Sequence, residues 1–129
     1  MGTGTGIGRV RGLGSARHGA RPWWHQRMTA AGNLLLITWF FASLLLLPGY
    51  DYQTVVGWLS SPWVATALIV MTLNVFWHLR LGVQVMIEDY VHREGSRFAA
   101  IVALNFYCAG AAALAVFSIL KIAFGGVQG

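Results

Sequence analysis

The sequence places His78 deep inside an apolar stretch, between Trp77 and Leu79. An ionisable side chain at such a depth is costly, so it faces protein, a cofactor or a water-filled path. Two readings follow. One is a histidine hydrogen-bonded to a neighbouring helix. The other is an axial ligand to haem iron, since imidazole is a common iron ligand in membrane helix bundles. Gly82 lies four residues on, on the same helical face. Its missing side chain would admit either a flat macrocycle or a packed helix. The remaining histidines are His18 and His25, before the first apolar run, and His92, after the second. A haem with two histidine ligands would therefore take its second from another polypeptide.

Asp89 and Tyr90 close the same stretch. Eleven residues past His78, at about 100° and 1.5 Å per residue, Asp89 returns to nearly the same face, roughly 16 Å farther along the axis. A phenol beside a carboxylate at a membrane edge can donate a hydrogen bond to a quinone carbonyl. The alternative is an interfacial anchor tyrosine beside a solvated aspartate. Arg27, before the first apolar run, is suited to a haem propionate or a lipid phosphate. Arg80 points about 200° away from His78 and is expected to snorkel to the interface.

The elements that must carry these residues are helices in a bilayer. Of 129 residues, 57% are hydrophobic and 10% charged, and the mean hydropathy is +0.61. So few charges could not solubilise so much apolar surface. Three runs of spanning length are predicted as helices, at about 28–47, 63–90 and 98–124. Pro48-Gly49 stops the first, Ser60-Ser61-Pro62 starts the second, and Gly125-Gly126 ends the third. The predicted fold is an all-α membrane protein with three transmembrane helices, spanning 21–129 behind a flexible Gly/Arg-rich tail, 1–20. The glycine run from Gly2 to Gly8 lacks the preceding strand and following helix of a phosphate loop. A cleaved signal peptide is not expected, because the basic region is long and the apolar run spans.

Charge sets orientation and excludes one class of partner. The formal net charge is +5, but Arg9, Arg11, Arg17, Arg21 and Arg27 all precede the first apolar run. That is the membrane asymmetry of cytoplasmic basic residues rather than a nucleic-acid surface, so no nucleic acid is expected. Arg93 and Arg97 mark the second loop, while Tyr50 to Ser61 holds Asp51 and no Lys or Arg. The N-terminus is thus expected in the cytoplasm and the C-terminus outside, with Lys121 snorkelling to the far interface. Trp23, Trp24, Trp58 and Trp63 fall at the expected membrane edges. Cys108, the single cysteine, is read as a small buried side chain.

Gln26-Arg27-Met28-Thr29-Ala30, then His78-Leu79-Arg80-Leu81-Gly82 leading to Glu88-Asp89-Tyr90-Val91, resembles the small hydrophobic membrane anchor subunit of bacterial and mitochondrial succinate dehydrogenase. The resemblance covers Arg21 to Phe124, and its discriminating part is the spacing of His, Gly and Asp-Tyr in one helix. It implies a non-catalytic anchor of respiratory complex II, a multi-pass protein of the bacterial inner membrane. By the same resemblance, His78 ligates haem b, with a second histidine supplied by a second, different membrane anchor subunit. Tyr90 hydrogen-bonds the ubiquinone carbonyl, Asp89 stands beside it, and Arg27 lies near the haem propionates and the quinone pocket. FAD and the iron–sulfur clusters would belong to the flavoprotein and iron–sulfur subunits. The competing readings are an anchor of fumarate reductase or another cytochrome b, and a small transporter or assembly protein without haem that uses His78 and Asn74 as a polar path.

Overall fold

A computed structural model describes residues 20–125, and Gly6 alone ahead of them. Most of the tail expected at 1–20, with His18, Arg9, Arg11 and Arg17, lies outside the described residues. Within 20–125 the chain forms four helices and no strand: α1 (Ala20–Leu45), α2 (Tyr52–Leu59), α3 (Pro62–Tyr90) and α4 (Glu94–Gly125). Three of them, α1, α3 and α4, are long and apolar enough to cross a membrane.

Two boundaries extend beyond the apolar runs, for local reasons. Helix α1 starts at Ala20 rather than near 28, because Pro22 sits in its first turn, where a missing N–H costs nothing. Helix α4 starts at Glu94 rather than near 98, with that carboxylate in the first turn, complementing the exposed N–H groups there. At 26 residues α1 is about 39 Å long, more than the hydrocarbon thickness of about 30 Å, so its polar first turns project past it or the helix tilts.

The stretch Tyr50 to Ser61, expected as a plain loop, contains the short helix α2. Asp51 caps it, accepting from the Thr54 N–H at 3.1 Å and the Thr54 hydroxyl at 2.6 Å. Those bonds hold the Asp51 carboxyl below its ordinary value, the Thr54 hydroxyl contributing most. The spacing Asp-x-x-Thr was the available signal. Tyr50 donates its hydroxyl to the Leu44 carbonyl at 3.0 Å, occupying one acceptor at the end of α1. Trp58 of α2 then stacks on Trp39 with centroids 6.4 Å apart.

Helix α3 is the centre of the molecule: the backbones of α1 and α4 each pack closely against it, whereas α1 and α4 make no close backbone approach to each other. The arrangement is an open layer rather than a closed bundle. Consequently only Thr29, Val56, Ala65, Leu68 and Cys108 are buried among the described residues. Cys108 is thus the small buried thiol expected of it. Large apolar side chains stay uncovered on every spanning helix, among them Leu35 at 73% and Phe117 at 64%. Surface of that kind is stable only against lipid or another apolar chain.

Candidate functional site

Helices α1 and α3 meet along a polar seam. On α1 the seam is Gln26, Thr29 and Asn33, spaced three and four residues apart; on α3 it is Asn74, His78 and Gly82, spaced by four. Both spacings keep the residues on one face of their helix. Gly32 lets Asn74 of α3 lie close against α1: a Cβ there would be 2.8 Å from Asn74 Nδ2. Small residues permit such contact between spanning helices, and side-chain amides then bridge them. Asn74 does so twice, donating Nδ2 to the Thr29 carbonyl and to Asn33 Oδ1, both at 2.8 Å.

One turn farther along α3, His78 Nδ1 lies 2.9 Å from Thr29 Oγ1. Thr29 is the buried polar residue of the described chain. Its hydroxyl also contacts the His25 carbonyl at 2.8 Å and the Gln26 carbonyl at 3.0 Å. His78 makes no other side-chain hydrogen bond among the described residues, so its Nε2 is uncommitted. The hydrogen-bonded reading of His78 is met at Nδ1, and Nε2 has no hydrogen-bond partner among the described residues. Such a ring fits an iron ligand. Among the described residues no three His, Cys, Asp or Glu side chains cluster so as to hold a metal ion.

Beside the seam, a cleft of about 910 Å³ opens between the first turns of α1 and the later half of α3. Its lining includes Trp23, Gln26, Arg27, Trp77, Gly82 and Glu88. Gln26 Oε1 is buried there without a hydrogen-bond donor. A buried acceptor without a donor is uncommon, and it marks a place where an incoming group could donate. A Cβ at Gly82 would meet only Gln26 Nε2, at 3.5 Å, so α1 leaves ordinary room there. Arg27 is exposed, its guanidinium 4.6 Å from the Trp23 ring centre, and no ion pair holds it among the described residues.

The expected site residues do not all converge. Arg27 lines the cleft, whereas His78, Asp89 and Tyr90 do not. Asp89 and Tyr90 are exposed at the last turn of α3, Tyr90 at 78%. One chain thus offers separate partial surfaces: the His78 ring, the Arg27 cleft and the Tyr90 edge. Arg80 departs from expectation. Instead of snorkelling, it is half-buried, donates Nε to Asn105 Oδ1 of α4, and lies 5.3 Å from the Trp77 ring centre. A partner within the protein competes successfully with the interface for this charge.

Sequence reasoning overlooked the hydrogen-bonding roles of Thr29 and Asn33 and the place of Gln26 in the same stripe. The signal was available in their spacing, since polar residues at 26, 29 and 33 form one stripe matching the stripe at 74, 78 and 82.

The family described as succinate dehydrogenase/fumarate reductase transmembrane subunit matches residues 1–112. The succinate dehydrogenase hydrophobic membrane anchor subunit of Rickettsia conorii is 28% identical over 79% of this chain and 82% of its own length. That of Rickettsia bellii is 29% identical over 78% and 81%. The succinate dehydrogenase membrane anchor subunit of Reclinomonas americana is 31% identical over 66% and 73%. No solved structure matches the chain significantly.

Proposed function

Since the chain belongs to the succinate dehydrogenase/fumarate reductase transmembrane-subunit family, we propose that it anchors a succinate:quinone oxidoreductase in the bacterial inner membrane, with one haem b ligand and part of the ubiquinone site. It is a hydrophobic membrane anchor subunit of succinate dehydrogenase with three spanning helices, and it works in a complex. The observation that carries the finer reading is His78, whose Nδ1 is bonded to Thr29 while Nε2 is uncommitted.

A bound haem b would supply one-electron transfer within the membrane. His78 would hold the iron through Nε2, and the second membrane anchor would supply another histidine ligand. The α1–α3 seam orients the ring. Arg27, in the lining of the cleft and without an ion pair among the described residues, suits the anionic edge of such a group or the quinone pocket. Tyr90 would donate its phenol proton to a quinone carbonyl, with Asp89 beside it as a route for protons from the cytoplasmic edge. Succinate would lose two electrons and two protons in the flavoprotein subunit, and the iron–sulfur subunit would pass the electrons to quinone. The uncovered apolar faces of α1 and α4 support contact with lipid and with the second anchor. The basic residues of the N-terminal tail and of Arg93 and Arg97 favour a cytoplasmic N-terminus and an outer C-terminus.

The test is His78→Ala in the intact complex, purified in mild detergent. The low-spin haem spectrum should be lost or altered while the chain still inserts and the soluble subunits still co-purify. An unchanged low-spin spectrum removes His78 from the ligand set.

A further inference from the structure

We propose that Thr29 is the positioning residue for His78: its hydroxyl accepts from Nδ1–H, fixes the imidazole tautomer and presents Nε2 to the iron. The inference rests on the haem reading above and goes beyond it by assigning a role on α1 to a residue that would not itself touch the cofactor.

Proton counting carries the argument. A threonine hydroxyl has one proton and two lone pairs. Thr29 Oγ1 has three polar neighbours: the His25 carbonyl at 2.8 Å, the Gln26 carbonyl at 3.0 Å and His78 Nδ1 at 2.9 Å. Both carbonyl oxygens only accept, so the hydroxyl proton satisfies at least one contact only by pointing at them. The Nδ1 contact then has no proton unless the imidazole provides it. Were the hydroxyl proton given to Nδ1 instead, two oxygen–oxygen contacts at 2.8 and 3.0 Å would stand with no proton between them. Thr29 is 8% exposed, which leaves little room for water to relieve that conflict. Nδ1 is therefore the donor, and in a neutral imidazole the one remaining ring lone pair lies on Nε2.

The residue is held from a second direction. Asn74, one turn before His78 on the same helix, donates to the Thr29 carbonyl at 2.8 Å. Backbone and hydroxyl of Thr29 are thus each bonded to α3, and the ring orientation of His78 depends on the axial register of α1. A hydroxyl is also a weak, neutral acceptor. It orients the imidazole without drawing off the Nδ1 proton, unlike a carboxylate, which makes the ring a stronger electron donor.

The experiment uses the intact detergent-purified complex with Thr29→Val, which keeps the β-branched shape and removes the acceptor, and Thr29→Ser, which keeps the hydroxyl. Thr29→Val should raise the haem midpoint potential, because an imidazole whose N–H has no acceptor donates less charge to ferric iron. It should also alter the low-spin electron paramagnetic resonance signal and weaken haem retention by about 10–100-fold. Thr29→Ser should restore all three, and succinate oxidation with a water-soluble acceptor should stay normal in both. The inference is overturned if Thr29→Val has wild-type potential and signal, or if Thr29→Ser behaves as Thr29→Val. Should Thr29→Val not assemble, pulsed resonance on the wild-type complex in deuterated buffer decides: an Nδ1 deuteron is expected, and an unprotonated Nδ1 overturns the assignment. A complex without haem, or a low-spin haem unchanged by His78→Ala, would instead refute the haem reading.

Discussion

Gly32→Ala should change sign with the residue opposite it. The new methyl would lie 2.8 Å from Asn74 Nδ2 and 3.3 Å from Asn74 Cγ and Oδ1. Something must move, and the amide that must move donates two interhelical hydrogen bonds. Each such bond within a membrane is worth about 0.6 kcal/mol on average and up to about 1.7, so displacing the amide costs about 1–3 kcal/mol. Against this, alanine is better than glycine inside a helix by about 0.8–1.0 kcal/mol. In the wild-type background the net effect is therefore a destabilisation of up to about 2 kcal/mol. In an Asn74→Ala background the obstructing amide is gone, only the helix preference remains, and the same substitution should stabilise by about 0.8–1.0 kcal/mol. The assay is reversible unfolding in mixed micelles with increasing denaturing detergent, run as a four-member cycle. The coupling should exceed the roughly 0.5 kcal/mol scatter of independent sites. Equal effects of Gly32→Ala in both backgrounds would refute the close contact between α1 and α3.

Asn105→Leu should destabilise the α3–α4 pair by about 1.5–3 kcal/mol in the same unfolding assay, because it removes the acceptor of the half-buried Arg80. Adding Arg80→Leu should recover most of that loss. Tyr90→Phe should lower quinone reduction by a factor of a few, as expected for one hydrogen bond of about 0.5–1.5 kcal/mol, and leave succinate oxidation by a water-soluble acceptor unchanged; normal activity with both acceptors would make Tyr90 an interfacial anchor only. A reporter fused after Gly129 should behave as extracytoplasmic, and cytoplasmic behaviour would reverse the orientation drawn from the arginine distribution.

Some of this protein was decided by the sequence itself. Apolar runs near 20 residues long with almost no charge have one stable solution in hydrocarbon, a helix with every backbone bond satisfied internally, so the three spanning helices were legible without coordinates. Helix periodicity also put His78 and Gly82 on one face, and Pro62 at the start of α3. The helix boundaries were less legible, because the polar turns at 20–27 and 94–97 carry no hydropathy signal and are held by Pro22 and Glu94. What only the tertiary structure decided is who meets whom across the helices. Nothing in the local pattern of α4 says that Asn105 will take the charge of Arg80, which made the interface look like the natural destination for that side chain. Nor does α3 alone reveal that the ring of His78 is bonded to a threonine 49 residues earlier. Periodicity fixes the face on which a residue lies, but the axial register between two helices depends on where their surfaces can approach. Here Gly32 leaves room for the Asn74 amide against α1, and Thr29 stands level with His78.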